Sequence, residues 1–275
     1  MADTDNPASP AGSPASPADS PASGPADIVG KKIFFLFPTV VVQNKVISEL
    51  IQQEYEVYVA KNKDTIRRVL RNYKNSIVFV DINEQLKEAE WEGWITAVKG
   101  APDTKTTSIG VVTANDDEKT KRKYLLALKV CSYTVLKFDL DKAIIHIIEI
   151  LQSMEAKGRR KFIRATTTKD SNVTLNMPVN GAFKNGQIKD ISVVGISCTI
   201  DDSPDIAKNT LIKDIQVKLQ TSIIKVEAIV FGTRMEGYEK VYVLLFTQRV
   251  DPDVRTKIRT YIQHNLQSKM DNELK

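Results

Sequence analysis

The sequence predicts two successive units: an α/β sandwich of five strand–helix pairs, then a small antiparallel all-β barrel with a C-terminal helix. Three observations predict it. Over residues 31–157, apolar strand-length runs alternate with amphipathic helix-length runs, the pattern of parallel strands joined by right-handed crossovers in a layered sheet. After Gly158 the runs become short, β-branched and separated by turn residues, as antiparallel strands are. A single amphipathic run, DPDVRTKIRTYIQHNLQ, follows the last of them.

Residues 1–30 precede both units. The stretch NPASPAGSPASPADSPASGPAD has almost nothing large to bury. It cannot offset the entropy of ordering itself and reads as a disordered, partly polyproline-like tail, serving as tether, recognition segment or solubiliser. The first unit then opens with KKIFFLFP, a buried strand, and VISELIQQ, a helix. EVYVA (strand) and DTIRRVLRNY (helix, with Asp64 as cap) come next, then SIVFVD (strand) and a polar helix through Trp91 and Trp94. SIGVVT, NDDEKTKRKYLLAL, YTVLKF and DKAIIHIIEILQSM complete five strand–helix pairs by residue 157. In the second unit, 158–270, the strand candidates are KFIRATTTK, NVTLNMP, GQIKDIS, GISCTI, IQVKLQ, IIKVEAIVFG and KVYVLLFTQ. Asn180-Gly181 and Asn185-Gly186 both read as turns, because both residue types tolerate positive φ. Residues 271–275 read as a short tail.

Composition narrows the function. No apolar run approaches the roughly 20 residues of a membrane span, and MADTDNPASP lacks the basic and apolar parts of a signal peptide. The expected location is the cytoplasm. Cys131 and Cys198 lie far apart inside apolar runs and read as small core residues. With His146 and His264 equally isolated, no metal site is expected. Residues 1–29 hold four acids and no base, so the rest carries 39 bases against 30 acids. A body with net charge +9 favours an anionic ligand or partner.

The candidate site begins in GRRKFIRA, residues 158–165, where Arg160 and Arg164 form Arg-x-x-x-Arg and Arg159 adds a third cation. The same spacing at Arg67/Arg71 and Arg255/Arg259 falls in amphipathic helices and reads as arginines facing water. The middle copy differs in lying between the two units and in being followed by DISVVG, with Asp190, Ser192 and Gly195. This pair of motifs, in this order, resembles the signature of the PilZ family of cyclic-di-GMP receptors: Arg-x-x-x-Arg before the first strand, then Asp/Asn-x-Ser-x-x-Gly at the barrel's edge. The resemblance covers about 158–270. It implies that Arg159, Arg160, Arg164, Asp190, Ser192 and Gly195 bind cyclic di-GMP, and that an arginine at 159 favours an intercalated ligand dimer.

The chemistry fits that ligand, which has two phosphate charges, guanine edges and flat purine faces. An arginine fork can grip a phosphate, stack on a base, or bond guanine O6 and N7 together. In an extended segment, residues four apart share a side at roughly 13 Å, so Arg160 and Arg164 can reach different parts of one dinucleotide. Asp190 can accept from a guanine N–H edge and Ser192 can donate to a phosphate. Gly195 lets the backbone approach closely or turn with positive φ.

Residues 31–157 resemble the receiver domain of response regulators, with departures. Asp81 ends the third strand, at the place of the phosphoacceptor; Thr113 ends the fourth and Lys137 the fifth, the places of the switch hydroxyl and the lysine. The first strand ends FLFPTV, however, without the acidic pair that holds magnesium, and Phe138 replaces the usual proline. Phosphoryl transfer to aspartate relies on that cation. The resemblance therefore implies a degenerate receiver, with Asp81 a vestigial phosphoacceptor or simply a helix cap. Its remaining role is binding a downstream protein partner, or a homodimer.

Together these readings predict a cytoplasmic, non-enzymatic second-messenger effector. Its ligand is cyclic di-GMP, its cofactor and metal none, and its hinge lies between Glu155 and Gly158. Motility, adhesion, secretion or gene control are the outputs the family resemblance brings. Two alternatives stay open: a phosphorylation-dependent regulator using Asp81, and a ligand-independent PilZ-type adaptor. Nucleic acid is not the expected partner, since no stretch interleaves aromatics with basic residues as stacking platforms do.

Overall fold

A computed structural model describes residues 30–137, 139–167 and 172–273. The Pro/Ala/Ser segment and Phe138 therefore lie outside the described residues. The first sheet has five parallel strands, β1 (Ile33–Leu36), β2 (Val57–Ala60), β3 (Ile77–Asp81), β4 (Ser108–Thr113) and β5 (Ser132–Val135), in the order β2-β1-β3-β4-β5. β1 and β3 are buried along their whole length, as parallel strands covered by helices on both faces must be. Alternation then splits each strand between two cores. Phe34, Leu36, Val78 and Val80 face α2 (Lys63–Asn72) and α3 (Glu88–Gly100), where Trp91 and Trp94 pack. Ile33, Phe35, Ile77 and Phe79 face α5 (Leu140–Ser153) and α1 (Ser48–Gln52), which continues a π-helical turn over Val42–Ile47. The Phe35 and Phe79 rings stack with centroids 5.0 Å apart.

Local capping explains the helix starts. Asn62, rather than Asp64, caps α2: its side chain accepts from the Asp64 and Thr65 backbone N–H groups. Asp117 caps the short α4 (Glu118–Arg122), and Asp139 caps α5.

The second sheet closes on itself. β7 (Val173–Val179), β8 (Ala182–Ser192), β9 (Gly195–Ile200), β10 (Leu211–Leu219), β11 (Ser222–Glu236) and β12 (Glu239–Phe246) run β8-β7-β10-β11-β12-β9, and β9 pairs back to β8. Inward positions of every strand fill one apolar core. Asn180 (φ 52°) and Gly181 (φ 81°) make the two-residue hairpin between β7 and β8, as expected. Asn185-Gly186 makes no turn. It lies inside β8, where a Cβ on Gly186 would stand 2.2 Å from the Thr199 carbonyl oxygen, so this glycine serves strand contact instead. Nor do the described residues of KFIRATTTK form a long strand: among residues 161–167 only β6 (Ala165–Thr166) pairs, with Ile191 and Asp190 of β8. Cys198 is buried, whereas Cys131 is exposed and not a core residue.

α6 (Pro252–Glu273) ends the chain and touches both sheets. Ile258, Tyr261 and Ile262 are buried in the barrel core, Met270 in the core beneath α2 and α3, and Leu266 packs against both. The Gln267 side chain accepts from the Val59 N–H (2.9 Å) and donates to the Val59 carbonyl (3.0 Å), pairing the edge strand β2 as a neighbouring strand would. The helix includes residues 271–273, where Glu273 accepts from the Tyr73 hydroxyl at 2.6 Å. No helix among the described residues is long and apolar enough to cross a membrane.

Candidate functional site

The two sequence motifs meet at the junction of the sheets. Residues 158–164 carry no regular structure; Phe162 and Ile163 pack against the barrel core, while Arg159, Arg160, Lys161 and Arg164 are exposed. The β6–β8 pairing sets Thr166 opposite Asp190, and so brings Arg164 beside that aspartate. Arg164 Nη1 stands 3.6 Å from Asp190 Oδ1. The side chains are 50% and 23% exposed, so solvent screens the pair, and such contacts are worth about 0–1 kcal/mol. A ligand can displace it cheaply.

A register shift between Ile188 and Asp190 aims the aspartate. Ile188 and Ile191 both face the core, and the extra residue between them turns Asp190 away from it. Ser197 on β9, directly across the ladder, donates its hydroxyl hydrogen bond to Asp190 Oδ2 and fixes the carboxylate. Sequence reasoning missed Ser197, which only the register of β8 on β9 identifies.

Ser192 and Gly195 take a different place. The Ser192 hydroxyl is buried, donates to the Gly195 carbonyl at 3.2 Å and accepts from the Val194 N–H at 3.4 Å, closing the β8–β9 hairpin. Gly195 does not have positive φ; it is the close-approach alternative that holds. A Cβ there would stand 2.3 Å from the Leu244 carbonyl oxygen of β12. In this arrangement these two residues shape the strand edge that carries Asp190.

Arg160 and Arg164 open onto a cleft whose other walls include Lys31, Lys157, Phe162 and the acids Glu54 and Glu56. Lys157 Nζ lies over the Tyr55 ring, 4.6 Å from its centroid. Of the arginine pairs expected to face water, Arg71 binds Asp103 at 2.8 Å, and Arg259 gives both Nε and Nη2 to Glu54 Oε1 at 3.2 Å. Glu54 and Arg259 lie 205 residues apart, and no local pattern links them.

Asp81 ends β3 in a buried position, 3% exposed. Burial pushes its carboxyl up to about 6, against the opposing effect of hydrogen bonds from the backbone of Asn83 and Thr39. It does not cap a helix, since α3 begins at Glu88. The Thr113 hydroxyl bonds Asn83 Oδ1 at 2.7 Å. The turn after β1 offers Phe37, Pro38 and Thr39, and no group of three His, Cys, Asp or Glu residues able to hold a metal occurs among the described residues. In the barrel, burial and the Asp190 charge push the Cys198 thiol up to about 12, so it stays protonated.

No family model and no curated protein matches the chain. Solved structures similar to it include the PilZ domain with c-di-GMP of YcgR from Escherichia coli, at 12% identity and TM-score 0.36 over 42% of this chain and 96% of that one. The K. pneumonia MrkH–c-di-GMP complex is 18% identical, TM-score 0.38, over 42% of this chain and 55% of that one. Chemotaxis response regulator CheY4 of Vibrio cholerae is 16% identical, TM-score 0.38, over 45% of this chain and 100% of that one. The chain spans about half the length of the longer YcgR structure (50%) and of MrkH. The first of these structures is named a PilZ domain and the third a response regulator.

Proposed function

We propose that this protein is a cyclic-di-GMP effector, acting by binding rather than by catalysis, with residues 158–270 as its sensor and 31–157 as a receiver-like unit that meets a protein partner. One observation carries the reading: the two halves of the motif, 26 residues apart in sequence, face each other as Arg164 and Asp190, and Arg164 together with Arg160 also lines a cleft. The neighbours' named ligand, c-di-GMP, agrees with it.

The residues divide the work by chemistry. Arg160 and Arg164 meet phosphate oxygens and the acceptor edge of guanine, and Arg159 is the third cation at the rim. Asp190, oriented by Ser197, accepts from the guanine donor edge once Arg164 turns from it to the ligand. Ser192 and Gly195 keep that edge in place. Ligand uptake then reorders 159–164 and changes how α5, which ends at Ser153 just upstream, meets the barrel.

Calorimetric titration of cyclic di-GMP tests this. Wild type is expected to bind, while Arg160→Ala, Arg164→Ala and Asp190→Ala each lose about 2–4 kcal/mol, roughly thirty-fold or more in affinity. Binding left intact in all three variants refutes the site, and a silent wild type refutes the function.

A further inference from the structure

We infer that Glu54 is a latch that holds the ligand-free protein closed, and that the anionic ligand of the cleft competes with it. The inference rests on the site reading above and adds its regulation. Glu54 follows α1 in the left-handed region (φ 61°), a conformation that costs a non-glycine residue energy and persists where the surroundings impose it. Its side chain is only 11% exposed although it is an acid. Three hydrogen bonds explain that burial. Oε1 takes the two bonds from Arg259 of α6, and Oε2 accepts from the backbone N–H of Ile163 at 3.2 Å.

Ile163 is the pivot of the argument. It sits between Arg160 and Arg164, so its backbone bond pins the middle of the clamp to the receiver-like unit. Drawing both arginines around one dinucleotide moves that midpoint and breaks the bond to Glu54. Charge acts in the same direction. Glu54 and Glu56 line the cleft with the arginines, and Glu56 already has its partner in Lys32 and its donor in Tyr58. Glu54 is paired as well, with Arg259, but of the two acids it is the one bonded to the clamp, so repulsion from the ligand's two phosphodiester charges falls on the contact that must release. Once released, the clamp and α6 lose their joint hold on α1, while Gln267 and Met270 keep the far end of α6 on the first sheet. The ligand's signal is this loss of a three-way contact.

A latch makes a distinctive prediction: removing it strengthens binding, because the competent fraction rises. Glu54→Gly deletes the carboxylate and suits the left-handed backbone, so it introduces no backbone strain; Arg259→Gln loosens the same contact from the other side. The experiment measures amide exchange across 159–164 without ligand, and calorimetric affinity for cyclic di-GMP, on the full chain. Both variants are expected to exchange faster by about tenfold and to bind about three- to tenfold more tightly. Unchanged or weaker affinity in both, beside a wild type that binds, overturns the latch and leaves the site reading standing. A wild type that binds no cyclic di-GMP overturns the site reading. The latch then stands only as a closed-state contact, upheld by faster exchange in both variants and overturned by unchanged exchange.

Discussion

A methyl group on Gly195 would press 2.3 Å from the Leu244 carbonyl oxygen and 3.2 Å from the Leu245 Cα, both in the backbone of β12. Neither atom can move without opening the β9–β12 ladder. Gly195→Ala is therefore expected to cost about 2–3 kcal/mol in urea unfolding, whereas Asp190→Ala, on the outer side of the barrel, stays within about 1 kcal/mol. The pair of variants separates residues that shape the edge from the residue it presents. Asp81 gives a second test at this scale. Its folded value of about 6 lies above the ordinary carboxylate value of about 4, so the folded state holds the proton more tightly than the unfolded chain. Its contribution to stability is fully present below pH about 4 and is lost as pH rises through about 6. Asp81→Asn keeps an acceptor for the Asn83 and Thr39 N–H groups without the buried charge. It is expected to stabilise the protein at pH 7.5 by roughly 1–3 kcal/mol, with the gain shrinking towards nothing near pH 4. Urea midpoints at the two pH values check it; a destabilised variant at pH 7.5 would show that the carboxylate is held by more than its backbone donors.

Among the elements, α6 carries the least expected arrangement. Its apolar stripe, Ile258, Ile262, Leu266 and Met270, repeats every fourth residue and is plain in the sequence. What the spacing does not contain is the change of partner along the stripe, from the barrel core to the core under α2 and α3. Periodicity reports which side of a helix is buried and says nothing about what buries it. Met270→Ala is expected to destabilise the receiver-like unit by about 2–4 kcal/mol through the cavity it leaves. Trp91 and Trp94, the chain's two tryptophans, both lie in that core, so their fluorescence reads the effect directly. A tryptophan transition unmoved by the change would mean that α6 and the first sheet are not energetically joined.

At the scale of the whole molecule, both sheets were legible because each has its own grammar: continuous apolar runs such as IFFL for strands covered on two faces, alternation such as VTLNMPV for strands covered on one. The proposed clamp was singled out by its place between the two units and by the DISVVG that follows it, since the same arginine spacing recurs at Arg67/Arg71 and Arg255/Arg259. Its length as a strand was not legible, since β-branched composition in KFIRATTTK suits a ladder that, among its described residues, two join. The supporting cast was hidden for a different reason. Ser197 depends on strand register, and Glu54 and Arg259 meet across 205 residues through a helix whose docking the chain does not advertise.

The position of α6 in the chain also sets an order of events during synthesis. The receiver-like unit leaves the ribosome before the barrel, yet its edge strand lacks the Gln267 pairing and its core lacks Met270 until α6 emerges. Nascent chains fold largely from the N-terminus as they appear, so this unit waits, incomplete, through the translation of the entire barrel. Its completion is then a quality check in itself: only a chain read through to α6 can finish the receiver-like unit.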